Sequence, residues 1–146
     1  MIALSSLLRL AHIIGLALGV GAATVKTLLL LRCVADRSLL PAYLRVARLV
    51  TRQIVLGMIL LTLSGIGWLL YGYPFTTLLA VKLVIVAGLR VLGPVIDNVA
   101  EPRFRALVPA EGGPASPAFI RAQRLYVRLE LAATSLFYAA ILVWVP

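Results

Sequence analysis

Five ionisable residues stand deep inside apolar stretches of this chain: His12, Lys26, Lys82, Arg90 and Glu130. His12 is the only histidine. Titratable groups in a hydrocarbon setting are costly and are kept for pairing, proton transfer or ligand binding. A histidine there can ligate a metal or carry a proton. A carboxylate needs a cation or its own proton. A lysine or arginine supplies that cation, or stretches its stem until the charge reaches an interface. At a helical rise of about 1.5 Å per residue, His12 lies roughly 12 Å inside the first apolar stretch and Lys82 roughly 10 Å inside the third. These two form an outer polar layer. Lys26, Arg90 and Glu130 sit near the opposite ends of their stretches and form an inner layer. A structural ion pair between Glu130 and Lys26, Arg90 or Arg128 satisfies the same residues as a proton relay.

The first stretch carries a narrow stripe. His12, Gly15, Gly19, Ala22 or Ala23, and Lys26 recur at helical spacing. Gly15 to Gly19 is a G-x-x-x-G step, which lets a second backbone or a flat ligand approach closely. Plain helix packing accounts for it equally well. Gly57, Ser64 and Gly65 add small residues on the second stretch. Other chemistries lack their residues. No H-E-x-x-H, C-x-x-C or phosphate-binding glycine loop occurs, and no second histidine completes a nucleophile–base set. A metal site within one chain reduces to His12 with Met58 or backbone. Two-histidine ligation of a haem requires a homodimer; one axial histidine does not. The single cysteine, Cys33, excludes an internal disulfide and reads as a small buried thiol.

These residues need elements to hold them, and composition says which. The 146 residues are 62% hydrophobic, with mean hydropathy +1.06. That excess belongs to the membrane class, and the length suits one small domain. Four stretches are long enough to cross a bilayer: about 4–31, 54–71, 75–96 and 125–145. The expected fold is therefore all-α, an integral membrane four-helix bundle with antiparallel neighbours. Gly72, Tyr73 and Pro74 alone join the second and third spans, which implies a tight hairpin. Pro94 should bend or end the third span. Residues 97–118, rich in proline and holding Gly112-Gly113, read as an irregular surface loop.

The net charge of +9 falls in two clusters. Arg32, Arg37, Arg45, Arg48 and Arg52 occupy the first link; Arg103, Arg105, Arg121, Arg124 and Arg128 occupy the third link and its flank. Clusters between apolar spans favour anionic lipid over nucleic acid as the partner. The positive-inside rule puts both links in the cytoplasm and both termini on the outer side of a bacterial inner membrane. Trp68, Tyr71, Tyr73 and Trp144 then share the outer boundary. Arg9 and Gly21-Ala22-Ala23 imitate a cleavable signal, but apolar character resumes from Thr27 to Leu31.

The phrase AHIIGLALGVGA, the arginine-rich link, LTLSGIGWLL and LLAVKLVIVAG together resemble a superfamily of small bacterial four-helix membrane proteins. It includes the HemJ-type protoporphyrinogen oxidases and the membrane domain of CopD-like copper-resistance proteins. The resemblance spans nearly the whole chain in architecture, through loose motifs. It implies haem b on His12, with Gly15 and Gly19 beside it. Lys82 matches that family's third-helix lysine needed for activity, here holding a propionate or acting on a proton. Glu130 matches an acidic residue of the fourth helix. Leu16, Ala17 and Leu18 stand where an aromatic is expected, Gly88 to Arg90 replace a Y/W-H-G pattern, and Ala132 or Ala133 replaces a proline. A branch with no assigned activity, reading HIIG-ALG-GAAT in its first span, is similar as well. The resemblance implies a haem-binding redox protein acting on a porphyrinogen or quinone-like donor. The alternatives are a non-enzymatic bundle for copper handling or partner assembly, and proton-coupled transport through both polar layers.

Overall fold

The computed structural model describes residues 3–110 and 113–143. Helix α1 spans Leu4–Ala35, α2 Leu40–Leu70, α3 Thr77–Val95, α4 Glu101–Ala106 and α5 Pro117–Leu142. Four helical stretches are long and apolar enough to cross a membrane: Leu4–Ala35, Arg37–Leu70, Thr77–Ala106 and Pro117–Leu142. Among the described residues there is no strand.

Each boundary has a local cause. Helix α1 stops at Asp36, whose carboxylate accepts from the Ser38 amide at 2.9 Å and the Ser38 hydroxyl at 2.7 Å. Pro41 then sits in the first turn of α2, where a missing N–H costs nothing. Gly72, at φ +88°, makes the turn out of α2. Thr76 caps α3 by accepting from the Leu79 amide at 3.2 Å. Ser116 caps α5 by accepting from the Phe119 amide at 3.1 Å.

The expected loop at 97–118 is only half right. Pro94 lies inside α3, so the Arg90 carbonyl loses its helical donor. The ladder does not break there. It widens into a π turn over Ile96–Ala100 and continues directly into α4. Pro102 falls in the first turn of α4, a position that tolerates it. The irregular link is confined to the residues after Ala106. The second span is also longer than expected, beginning at Leu40 and not near Ile54. Its added turns are amphipathic. Leu40, Tyr43 and Ala47 are buried at helical spacing while Arg45 and Arg48 are exposed, a pattern that a search for continuous apolar runs passes over.

The helices are not all equally engaged. Helix α1 lies along α2, α5 against α1, and α3 against α5. At the α1–α2 crossing a Cβ on Gly57 would meet the Gly19 Cα at 2.7 Å and the Gly15 oxygen at 2.8 Å, so only glycine fits. The expected tight hairpin of the second and third spans does not form along its length: the short turn joins α2 to α3, and a cleft of about 330 Å³ opens between them. A core of Leu30, Tyr43, Phe104, Phe119 and Tyr126 fills the end that carries both long links. Phe104 stacks on Phe119 and on Tyr126, with ring centres 5.6 and 5.1 Å apart. Both arginine clusters therefore lie at one end of the bundle. Trp68, Tyr71 and Tyr73 meet edge-on at the turn between α2 and α3. Trp144 lies outside the described residues.

Candidate functional site

The inner layer is a single buried cluster. Lys26 of α1 is 1% exposed, and its Nζ lies 2.7 Å from Glu130 Oε1, 3.1 Å from Glu101 Oε2 and 3.8 Å from Asp97 Oδ1. The Tyr126 hydroxyl donates to Glu101 Oε2 at 3.1 Å, which uses its one proton. The Tyr43 hydroxyl, 2.8 Å away, therefore donates to Tyr126. On the other side of Glu101, Arg105 Nε donates to Oε1 at 2.8 Å and its Nη1 to the Leu44 carbonyl at 3.0 Å. The Lys26 ammonium also sits over the Tyr126 ring, 5.6 Å from its centre. All four long helical stretches contribute a side chain.

The charges do not balance. Asp97, Glu101 and Glu130 give three carboxylates, against the two cations Lys26 and Arg105. Counted by its own ion pairs the cluster is one positive charge, or one proton, short of neutrality; among the described residues, Arg48 and Arg90 stand on the walls of the adjoining cavities without an ion pair to it. Glu101 takes Arg105 and Tyr126, which leaves Glu130 and Asp97 to share Lys26. Among the described residues no group of three or more histidine, cysteine or acidic side chains is disposed to hold a metal ion. Lys26, Glu130 and Asp97 line the cleft between α2 and α3, whose walls include Met58, Leu89 and Phe137.

Lys26 and Glu130 thus meet as the sequence suggests. Arg90 does not join them; it is exposed and donates across the cleft to Thr62 of α2. Its place is taken by Asp97 and Glu101, which the expected loop removed from consideration. Their signal was in the spacing. Asp97, Glu101 and Arg105 repeat every fourth residue, as do Tyr126 and Glu130, and such residues share a helical face.

At the other end of α1, His12 Nδ1 lies 3.0 Å from the Ser64 hydroxyl. Ser64 has one proton for the Leu61 carbonyl at 3.1 Å or for His12 Nδ1; when the carbonyl takes it, Nδ1 carries the ring hydrogen and Nε2 keeps its lone pair. Lys82 is half-buried and near enough for its charge to be felt at His12. Gly15 and Gly19 offer no open face here. A Cβ on Gly15 would meet Gly57 and Leu61 at 3.0 Å, and one on Gly19 would meet Phe137 at 3.3 Å. Thr27 and Thr134 tie α1 to α5 through hydroxyls 2.8 Å apart. Cys33 is buried in the core of the link end.

Comparison with protein-family models, with curated proteins and with solved structures finds no match to this chain.

Proposed function

We propose that this chain is an integral membrane protein that takes up and releases a proton at the Lys26–Glu130–Asp97 cluster, in exchange with the cleft between α2 and α3. The observation that carries the reading is the charge count of a buried cluster that lines a cavity. A structural ion pair needs one acid per base; here a third carboxylate is present, and a proton is the smallest species that restores neutrality. Glu130, only 3% exposed, and Asp97, partly open to the cleft, are the carboxyl groups that share it. The bundle crosses a bacterial cytoplasmic membrane with its arginine end inside, against anionic lipid. Proton uptake measured on reconstituted vesicles tests the role. Wild type should exchange protons with the medium, and Glu130→Gln together with Asp97→Asn should abolish the exchange.

One observation favours a redox role beside this. Ser64 holds His12 at Nδ1, and in the tautomer with the hydrogen on that atom Nε2 is free to ligate, the arrangement in which a metal-ligating histidine is oriented by its second nitrogen. His12 fits an axial haem ligand, and Lys82 would answer a propionate. Gly15 and Gly19 do not fit the face of a macrocycle, because α2 already covers them. When bound, a haem b would supply one-electron chemistry for hydrogen removal from a porphyrinogen or quinone-like donor. The visible spectrum decides: a Soret band lost in His12→Ala supports a redox protein, and a colourless chain after ample haem supply removes it. Without haem, the alternative is a non-enzymatic bundle assisting copper handling or partner assembly, as a monomer or a homodimer.

A further inference from the structure

A second cavity adjoins the cleft. It measures about 270 Å³ and lies at the arginine end, lined by Arg48, Thr51, Asp97, Glu101, Pro102 and Arg105. Thr51 and Asp97 line both cavities, so the two meet there. Their characters differ. The chamber is walled mostly by charged groups, while the cleft, beyond the Lys26–Glu130–Asp97 cluster and Arg90, is lined by apolar side chains such as Ile54, Val55 and Leu89. A polar chamber continuous with an apolar cleft has the amphipathic form of a lipid, head and tail.

The chamber's charges narrow the head group. Arg105 is engaged by Glu101 at 2.7 Å. Arg48 makes no ion pair among the described residues, and Asp97 keeps 32% of its side chain exposed. The chamber thus offers one cation and one partly open carboxylate. The Thr51 Oγ1 is buried at the junction without a hydrogen-bond partner among the described residues. A helical threonine ordinarily donates to the carbonyl four residues back, as Thr62 does to Met58. An unpartnered buried hydroxyl awaits an acceptor.

We propose that the chamber and the cleft together bind one phospholipid whose head carries a phosphate and a primary ammonium. The phosphate lies against Arg48, the ammonium against Asp97, and an ester oxygen accepts from Thr51. One acyl chain follows the cleft between α2 and α3. An anionic head without the amine would set its charge against Asp97 with nothing gained. A quaternary amine could not donate a hydrogen bond to that carboxylate. This inference rests on the chain spanning a bilayer, and it competes with proton sharing at Asp97, whose carboxylate the lipid ammonium would neutralise in the proton's place.

The test is lipid retention by the full chain in mild detergent, read by native mass spectrometry against phosphatidylethanolamine, phosphatidylglycerol and phosphatidylcholine. Wild type should hold one phosphatidylethanolamine, about tenfold more avidly than either competitor. Arg48→Gln and Val55→Trp should each lower that retention by about tenfold. Both positions are exposed, so neither change threatens folding. Equal retention of all three lipids, or retention unmoved by both variants, overturns the inference. A chain recovered in the aqueous phase without detergent overturns the membrane reading as well.

Discussion

Removing the Lys26 ammonium should be among the most damaging single changes in this chain. In Lys26→Met the stem keeps its volume and only the charge is lost. The three carboxylates then fare differently. Glu101 retains Arg105 at 2.7 Å and the Tyr126 hydroxyl at 3.1 Å. Asp97, with 32% of its side chain exposed, can hydrate. Glu130, with 4% of its side chain exposed, loses its cation at 2.7 Å and must either bind the cluster's proton or stand as an uncompensated charge, so the loss is full only where it is ionised. Breaking a buried pair from one side costs about 3–5 kcal/mol. Substituting both partners by apolar residues of similar size is close to neutral by the same reasoning, because no charge is stranded. Lys26→Met should therefore destabilise by about 3–5 kcal/mol, and Lys26→Met with Glu130→Leu should recover most of the loss. The assay is denaturant unfolding in detergent micelles at neutral pH, followed by helix content. A single variant as stable as wild type, or a double variant as unstable as the single one, would refute the reasoning. The second result would assign the effect of Lys26 to its stem and not to its charge.

Three smaller changes follow from other contacts. Gly57→Ala should cost about 1–3 kcal/mol by forcing α1 and α2 apart, whereas Gly21→Ala, with nothing within 4 Å of the added carbon, should leave the unfolding midpoint in place. Tyr126→Phe removes the donor to Glu101 and the acceptor for Tyr43 and should cost about 1–3 kcal/mol, read in the same unfolding assay. Asp36, outside the long helices, accepts from the Ser38 hydroxyl and amide, which holds its carboxyl below the 3.8 of a free aspartate. Its contribution to the turn is complete above that value and is lost as pH falls through the lower folded one. Carboxyl-carbon NMR should place the midpoint below 3.8, and Ser38→Ala should move it upward.

Much of this was legible in the residues. The apolar runs gave four helices, and the isolated Lys26 and Glu130 gave the nucleus of the buried cluster. What escaped notice was helix without a continuous apolar run. The proline-rich stretch after Pro94 reads as a loop only if proline must break a helix. A π turn absorbs the lost bond, and Pro102 sits where a new first turn accepts it. Asp97 and Glu101 were lost to view for that reason. Arg90 failed differently. Arg90 lies seven residues, about 10 Å of helix, from the Asp97 that meets Lys26. Its partner Thr62 is two residues from the Ser64 that holds His12, so Arg90 stands at a different level from the cluster. Gly15 and Gly19 were ambiguous between a ligand and a partner helix, and the small residue facing them, Gly57, resolves that locally as helix contact.

The central claim is that the Lys26 cluster holds an exchangeable proton. Infrared difference spectroscopy of the protein in lipid, taken between acid and alkaline buffer, observes a protonated carboxyl group directly. A carboxylic-acid band should appear and disappear reversibly, be altered by Glu130→Gln or Asp97→Asn, and be absent when both are changed. No such band, or a band unmoved by both substitutions, would contradict it and leave the cluster as a tie between helices.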